Sequence, residues 1–300
     1  MFNRILLPLD GSELAEITLP YGEELARRLG SEVVLLHVPG QKHQPEYQHI
    51  HQVYLDRLAE TVRANISSGQ PGGKAVKVTT KVESGEPAES ICRLVDKNKI
   101  DLIIVTAVSV SGLKVGKMLG SVTDNVCRTV PIPVMLIRPQ MAKQTEGKEH
   151  LINRILISLD GSDLSKLALP IGEELAAKLK VSVTLTQMAT KVRIYEDDSG
   201  ASAYIDYAKL DADEKRRVGA EMVALEKEVK KKGIDVTSVV TSGYNAAEDI
   251  IATAKKTNAD LMVMSTHGRS GLGRFIFGSV AEKILRHGET PLLLVNARAG

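Results

Sequence analysis

The sequence contains no tryptophan, and aromatic residues make up only 3% of its 300 residues. A hydrophobic core must therefore be built from Val, Ile, Leu and Ala, in keeping with the apolar fraction of 43%. Cysteine is also scarce: Cys92 and Cys127 stand alone, without CxxC spacing. This pattern argues against a disulfide framework and is typical of proteins in a reducing cytosol.

Charge of one sign and long apolar runs are missing as well. The formal net charge is only +2, which gives no electrostatic reason to expect nucleic acid or an anionic membrane as a partner. No apolar run approaches the roughly 20 residues that span a bilayer. The start MFNRILLPLDGS has no charged leader followed by a long apolar region, so we expect no signal peptide. These observations predict a cytoplasmic protein of one large domain or two ordinary ones.

The two halves of the chain repeat each other. Residues 3–29 and 153–179 are identical at 17 of 27 positions, far more than shared secondary-structure propensity produces. Weaker matches follow in the same order: SGEPAESI (84–91) with SGYNAAEDI (242–250), DLIIVT (101–106) with DLMVMS (260–265), and PVMLI (133–137) with PLLLV (291–295). We therefore predict two domains, residues 1–138 and 153–300, joined by a polar linker at 139–152.

Within each half, short apolar runs alternate with longer helical patterns, which predicts a parallel sheet with helices on both faces. We expect an α/β protein of two tandem Rossmann-like, doubly wound domains, each with five parallel strands. The strands expected in the second half are 153–159, 181–188, 234–241, 260–265 and 291–295, and the helices lie near 163–179, 206–232, 245–257 and 279–287. Pro170, and Pro20 in the first half, should kink or break the first helix.

The stretch STHGRSGLGRFIFGS (265–279) is the clearest candidate site. It connects an apolar run to a helical pattern, the place where doubly wound proteins bind ligands outside the carboxyl ends of their strands. Glycines let the backbone approach phosphate, and the amides of Gly278, Ser279 and Val280 would point at an anion. Asp160, at the end of the first strand of this half, can accept a hydrogen bond from a ribose hydroxyl or an adenine amino group.

Together, the two RIL-x-x-x-DGS strands, the G/S-x-x-G-x9-G-S loop and the final apolar strand resemble the universal stress protein family in its tandem form. The resemblance covers nearly the whole chain. It implies that ATP or another adenine nucleotide, with or without Mg²⁺, is held on a Gly-x-x-Gly-x9-Gly-Ser/Thr loop. The nucleotide-binding residues that it implies here are Asp160, Met188, Met264, Ser265, Gly268, Gly278, Ser279 and Val280.

The chain departs from the family pattern in two places. Ser265 stands where the family has its first glycine, so close backbone approach is not guaranteed there. In the first half the loop reads TAVSVSGLKVGKMLGS (106–121), with Thr106 and Ser109 in the leading positions and ten residues instead of nine before Gly120. We expect the second domain to bind nucleotide and the first to be degenerate, with at most a weaker site formed by Pro8, Asp10, Gly120 and Ser121.

Each of these features also has a purely structural interpretation. The glycine loop can be a plain strand-to-helix turn, and Asp10 and Asp160 can cap the first helix of each half with the serines that follow. Arg269 and Arg274 can pair with phosphate or be solvated, while His267 has no nucleophile or second base beside it and is expected to pack. No acid or cysteine stands at ligand spacing from the histidines at 37, 43, 49 and 51, so no metal site is expected.

The sequence favours binding over turnover. It has neither the lysine of a P-loop nor a visible Ser-His-Asp or Cys-His arrangement, so no enzymatic activity is expected. Three hypotheses stay open: a nucleotide-binding stress or regulatory protein, an assembly module that takes no nucleotide, and a slow ATPase. The resemblance also implies that PIPVMLI and TPLLLV pair the two domains as an internal pseudo-dimer; a further homodimer is compatible with the sequence.

Overall fold

A computed structural model of the chain describes residues 2–40, 48–68, 76–107, 119–140, 147–192, 206–266 and 277–296. The first half contains strands β1 (Arg4–Leu9), β2 (Glu32–His37), β3 (Val78–Val82), β4 (Leu102–Thr106) and β5 (Val134–Ile137), with helices α1 (Glu13–Glu16), α2 (Leu19–Leu29), α3 (Gln48–Ser68), α4 (Pro87–Asn98) and α5 (Ser121–Thr129). The second half contains β6 (Arg154–Leu159), β7 (Ser182–Thr190), β8 (Val236–Gly243), β9 (Leu261–Ser265) and β10 (Leu292–Val295), with α6 (Asp163–Lys166), α7 (Ala168–Leu179), α8 (Tyr207–Lys231), α9 (Ala246–Lys256) and α10 (Ser279–His287).

One sheet runs through both halves in the order β3-β2-β1-β4-β5-β10-β9-β6-β7-β8. The strands of each half pair in parallel, whereas β5 and β10 pair antiparallel, with Met135 opposite Leu293. The predicted fold class, two doubly wound domains of five parallel strands, is confirmed. The predicted internal pseudo-dimer is confirmed too, because the final strand of each half covers the edge of the other.

Helices cover both faces of the sheet because successive strand residues point to opposite sides. In β1, Ile5 and Leu7 enter one core while Leu6 enters the other. The first core lies under α2, α3, α7 and α8, and the second lies under α4, α5, α9 and α10. Each core contains residues of both halves, so the two domains share their hydrophobic interior.

The first helix of each half is broken just before its proline. In the first half α1 ends at Glu16 and α2 begins at Leu19, and in the second half α6 ends at Lys166 and α7 begins at Ala168. Proline has no N–H for the carbonyl four residues earlier and its ring collides with that carbonyl. For Pro20 that carbonyl belongs to Glu16, where α1 stops. The predicted breaks are confirmed.

A buried ion pair joins the first domain to the segment that precedes β6. The Glu24 carboxylate accepts hydrogen bonds from the amides of Leu151 (2.5 Å) and Ile152 (3.2 Å). Arg28 donates to Glu24 at 2.7 Å and to the carbonyls of Ile152 and Leu179. The predicted domain boundaries stay predictions, since residues 141–146 of the linker lie outside the described part of the chain.

The outer strands of the sheet are covered by α3 and α8, which contact β3 and β8 respectively. Both helices bury a narrow apolar stripe, which includes Leu55 in α3 and Val218 in α8. Their other faces carry most of the charged residues. Across the described ranges, no helix combines the length and the apolar character needed to cross a membrane.

Candidate functional site

A cavity of about 270 Å³ opens at the carboxyl ends of β6, β7 and β9. In the second half the chain leaves β6 towards β7 on one side and later returns on the other side through β9. The cavity therefore lies at the point where the strand order reverses, the usual ligand position in such sheets. Its lining residues are Ser158, Leu159, Asp160, Ser165, Met188, Thr190, Ala246, Ile250, Met264, Ser265, Thr266, Gly278, Ser279, Val280 and Ala281.

The structure brings together seven of the eight residues predicted for the nucleotide site: Asp160, Met188, Met264, Ser265, Gly278, Ser279 and Val280. The eighth, Gly268, lies outside the described residues, as do His267, Arg269 and Arg274. The shared lining shows that these positions meet at one place. Their role in binding a nucleotide stays a prediction.

Other lining residues were missed from the sequence, and they share a position at strand or helix ends. Ser158 and Thr190 belong to the last residues of β6 and β7, and Ala246 and Ile250 belong to the first two turns of α9. The rule that ligands lie beyond the carboxyl ends of strands could have indicated all four. No sequence motif marks them individually.

The Asp-Gly-Ser turn after β6 is braced by its own hydrogen bonds. The Asp160 Oδ1 atom accepts from the Ser162 amide (2.9 Å) and from the Ser162 hydroxyl (2.6 Å). Ser162 in turn accepts from the Ser165 amide at 3.1 Å and so caps α6. Gly161 has a φ of +82°, a conformation that residues with a side chain rarely adopt. The serine is the helix cap, and the aspartate holds the serine.

The first half contains the same turn. Asp10 Oδ1 accepts from the Ser12 amide at 3.0 Å, Ser12 caps α1 through the Ala15 amide at 3.2 Å, and Gly11 has a φ of +85°. The structural interpretation of both aspartates therefore holds in both halves. In the second half Asp160 also lines the larger cavity, so a structural and a binding role do not exclude each other.

One expectation about the phosphate-binding amides is wrong. The amide of Gly278 donates to the carbonyl of Thr266 at 2.9 Å, which closes the base of the loop between β9 and α10. It therefore does not point at an anion. Ser279 and Val280 are the first residues of α10, and amides in the first turn of a helix have no intrahelical acceptor. Among the described residues, these amides are candidate donors at this end of the cavity.

The equivalent cavity of the first half is smaller, about 130 Å³. Pro8, Asp10 and Gly120 line it, whereas Ser121 is outside its lining. The Thr123 hydroxyl donates to the Thr106 carbonyl at 2.9 Å and so ties α5 to the end of β4. Alanine stands at the corresponding position of the second half, Ala281, which has no hydroxyl to make this bond. Both residues line their cavities, and threonine is the larger of the two; the predicted weaker site stays a prediction.

The second-domain cavity is lined by both apolar and polar side chains. Met188, Met264, Ala246 and Ile250 form apolar walls, and hydroxyl groups and one carboxylate come from Ser158, Ser165, Ser265, Ser279 and Asp160. Methionine walls adapt readily to a flat apolar group. A mostly apolar cavity with a few placed polar groups is the usual composition of a small-molecule site.

Two histidines of the first half, His37 and His51, lie next to each other. His37 is bonded through Nδ1 to the Leu9 carbonyl at 2.8 Å, and its ring centroid lies 4.6 Å from that of His51. His43 is outside the described residues. In the part of the chain that the structure describes, no group of three or more His, Cys, Asp or Glu could hold a metal ion. The expected absence of a metal site stays a prediction.

Two doubly wound domains that share one sheet, each with a cavity at its switch point, define a tandem Rossmann-like α/β protein. The chain belongs to the universal stress protein family, whose family model matches residues 1–138 and 152–296. The resemblance identified from the sequence is thereby confirmed in both halves.

Individual relatives agree with this assignment. A universal stress protein of Synechocystis sp. is 23% identical over an alignment that covers 97% of this chain and 99% of the relative. One of Methanocaldococcus jannaschii is 30% identical over 152 residues, covering 49% of this chain and 84% of the relative. The crystal structure of a universal stress protein from Archaeoglobus fulgidus superposes with a TM-score of 0.72 at 18% identity and covers 100% of both chains. At that identity the superposition supports the fold alone.

Proposed function

We propose that this protein is an adenine-nucleotide-binding regulatory or stress-response protein whose ligand is held by the second domain. The observation that carries the proposal is the cavity at the β6–β9 switch point, which gathers seven of the predicted residues and has about twice the volume of its counterpart, about 270 Å³ against 130 Å³. Five lining residues are identical between the two cavities (Leu9, Asp10, Ile91, Gly120 and Val122 in the first half), whereas Pro8 and Thr123 stand where the second cavity has Ser158 and Ala281.

The lining fits the parts of a nucleotide in order. Met188 and Met264 would flank the adenine ring, and the Asp160 carboxylate, held by Ser162, would accept a hydrogen bond from the ribose. The amides of Ser279 and Val280 at the start of α10 would face the phosphates, where the helix dipole also favours negative charge. If Mg²⁺ accompanies the nucleotide, phosphate oxygens and water would supply most of its ligands, and the protein would contribute at most one or two carboxylates.

Binding, not turnover, is the proposed activity. Phosphoryl transfer requires a positioned nucleophile and a cation over the developing charge, and the lining residues that the structure describes provide hydroxyls and one carboxylate but no lysine or arginine. A ligand at 100 times its dissociation constant stabilises the folded state by about 2.7 kcal/mol. A stabilisation of this size would let ligand binding alone change the stability of the two-domain protein, without catalysis.

Matched charge variants test the proposal. Ser279→Glu and Ser121→Glu place the same carboxylate at the first residue of α10 and of α5, where it favours the helix in both cases. Only in α10 would it oppose bound phosphate. We expect ATP, ADP or AMP to raise the Tm of the wild type and of Ser121→Glu, and to leave the Tm of Ser279→Glu almost unchanged.

Three outcomes would contradict the proposal or part of it. If no adenine nucleotide shifts the Tm and none is released from the denatured protein, the assembly module without nucleotide is favoured. If both variants lose the shift equally, the assignment to the second domain is wrong. If phosphate is released from ATP by the wild type but not by Ser279→Glu, the protein is a slow ATPase at the same site.

A further inference from the structure

An arginine of the first domain holds the aromatic ring next to the second-domain cavity. Phe277 immediately precedes Gly278 and is only 6% exposed. The guanidinium carbon of Arg128, in the last turn of α5, lies 4.4 Å from the centroid of the Phe277 ring. A guanidinium over an aromatic face at this distance makes a favourable cation–π contact. The base of the loop in one domain is thus in contact with a helix of the other.

Arg128 is fixed in this position from its other side. Its Nε and Nη2 atoms donate to the two carboxylate oxygens of Asp124 at 2.8 and 2.9 Å, a bidentate pair with little freedom to rotate. Hydrogen bonding to Asp124 raises the pKa of Arg128 above its ordinary value, and the charge of Glu282 on α10 adds to this. The guanidinium is therefore charged and is held between the Asp124 carboxylate and the Phe277 ring.

Phe277 is coupled to the donors of the cavity through the backbone. The next residue, Gly278, donates its amide to the Thr266 carbonyl at 2.9 Å and accepts at its own carbonyl from the Glu282 amide, also at 2.9 Å. These two bonds set where α10 begins. A shift of the Phe277 ring would move Gly278 and with it the amides of Ser279 and Val280.

The residues that correspond to Arg128 and Phe277 in the other domain cannot form the same contact. Aligning Gly120-Ser121 with Gly278-Ser279 places Leu119 opposite Phe277 and Arg286 opposite Arg128. Leucine offers no aromatic face to a guanidinium, and Arg286 donates to Glu282 at 2.8 Å. The first domain can therefore brace the second-domain loop in a way that the second domain does not return.

We propose that Arg128 is a positioning residue for the second-domain site, supplied by the first domain and acting through Phe277. The inference rests on the proposed function for its ligand, although the contact itself does not depend on any ligand. Under this proposal the first domain, whose own cavity is smaller, contributes a residue that positions the binding site of the second domain.

The test compares Arg128→Ala with Arg286→Ala, two arginines that each form an i,i+4 ion pair on equivalent helices. ATP affinity is measured by calorimetry below the melting temperature of each variant, and amide hydrogen exchange is followed in ligand-free protein at residues 278–280. We expect Arg128→Ala to weaken ATP binding about three- to tenfold and to speed exchange at these amides, and Arg286→Ala to change neither.

A double-mutant cycle with Phe277→Leu separates positioning from general destabilisation. If Arg128 acts through Phe277, the double variant binds ATP no more weakly than Phe277→Leu alone, whereas independent effects would add. Additive losses, or equal exchange in Arg128→Ala and Arg286→Ala, would overturn the inference. If the wild type binds no nucleotide, the proposed function fails, and the exchange comparison still decides whether Arg128 positions the loop.

Discussion

Replacing Glu24 with glutamine should weaken the junction between the two halves. The Glu24 side chain is almost completely buried, with 2% of the residue exposed, and its oxygens accept from Leu151, Ile152 and Arg28. Glutamine keeps the shape but replaces one acceptor oxygen with an NH₂ group. That group must then face either a backbone amide or the guanidinium, a donor against a donor.

The size of the effect follows from burial. Removing one partner of a buried ion pair costs about 3–5 kcal/mol because the other charge is left uncompensated. Arg28 is 13% exposed in its side chain and keeps the carbonyls of Ile152 and Leu179 as acceptors, so we expect the low end of that range, about 3 kcal/mol. Urea denaturation followed with two spectroscopic probes would measure this loss in the free energy of unfolding.

The second half supplies a matched control. Glu174 and Lys178 occupy the positions that correspond to Glu24 and Arg28 and pair at 3.1 Å, but their side chains are 47% and 43% exposed. An exposed i,i+4 pair contributes only about 0.3–0.5 kcal/mol, so Glu174→Gln should lower the free energy of unfolding by far less than Glu24→Gln. If the two variants lose equal stability, burial is not what makes the Glu24 pair important and the reasoning is refuted.

Three further predictions concern stability and reactivity. Burial, with the charges of Glu24 and Asp260 adding, raises the pKa of Tyr21 from 10.0 to about 12. Because the unfolded chain ionises first as the pH rises, the wild type should lose about 2 kcal/mol more stability than Tyr21→Phe between pH 10 and pH 12, and parallel pH curves would contradict this. Burial raises the pKa of the Cys127 thiol, whereas Cys92 is half-buried; alkylation of the native protein, read by mass spectrometry, should therefore modify Cys92 first and Cys127 only upon unfolding. A Cβ on Gly172 would lie 2.5 Å from Ile157 Cδ1, so Gly172→Ala should destabilise the protein by about 1–3 kcal/mol in urea denaturation, and adding Ile157→Val, which removes that methyl group, should recover part of the loss.

Local patterns in the sequence were sufficient for the architecture of each half. Apolar alternation and helical spacing placed every strand and helix of the second half to within a few residues, and β8 differs most, since it runs from Val236 to Gly243 and not over 234–241. The prolines placed the breaks in the first helices because their effect depends only on the residue four positions earlier. The resemblance to the universal stress protein family, together with the carboxyl-end rule, named seven residues that line one cavity.

Contacts between the halves were not predictable in the same way. The pair of Arg128 with Phe277 joins residues 149 positions apart, and no periodicity in either segment refers to the other. Which side chains meet there depends on the register of β5 against β10 and on how α5 and α10 pack over it. The use of the Gly278 amide by Thr266 was missed for a related reason: a glycine-rich sequence does not show which of its amides the loop consumes to close itself.

The departure of the first-half loop from the family pattern is compatible with the role of each half in the shared sheet. Either half alone would leave an apolar edge strand, β5 or β10, exposed to association, and the antiparallel pairing of Leu136 with Leu292 covers both edges at once. That pairing depends on the strands and on α5 and α10, and not on the loop that precedes either helix. Changes in the first-half loop sequence can therefore accumulate without loss of the shared core.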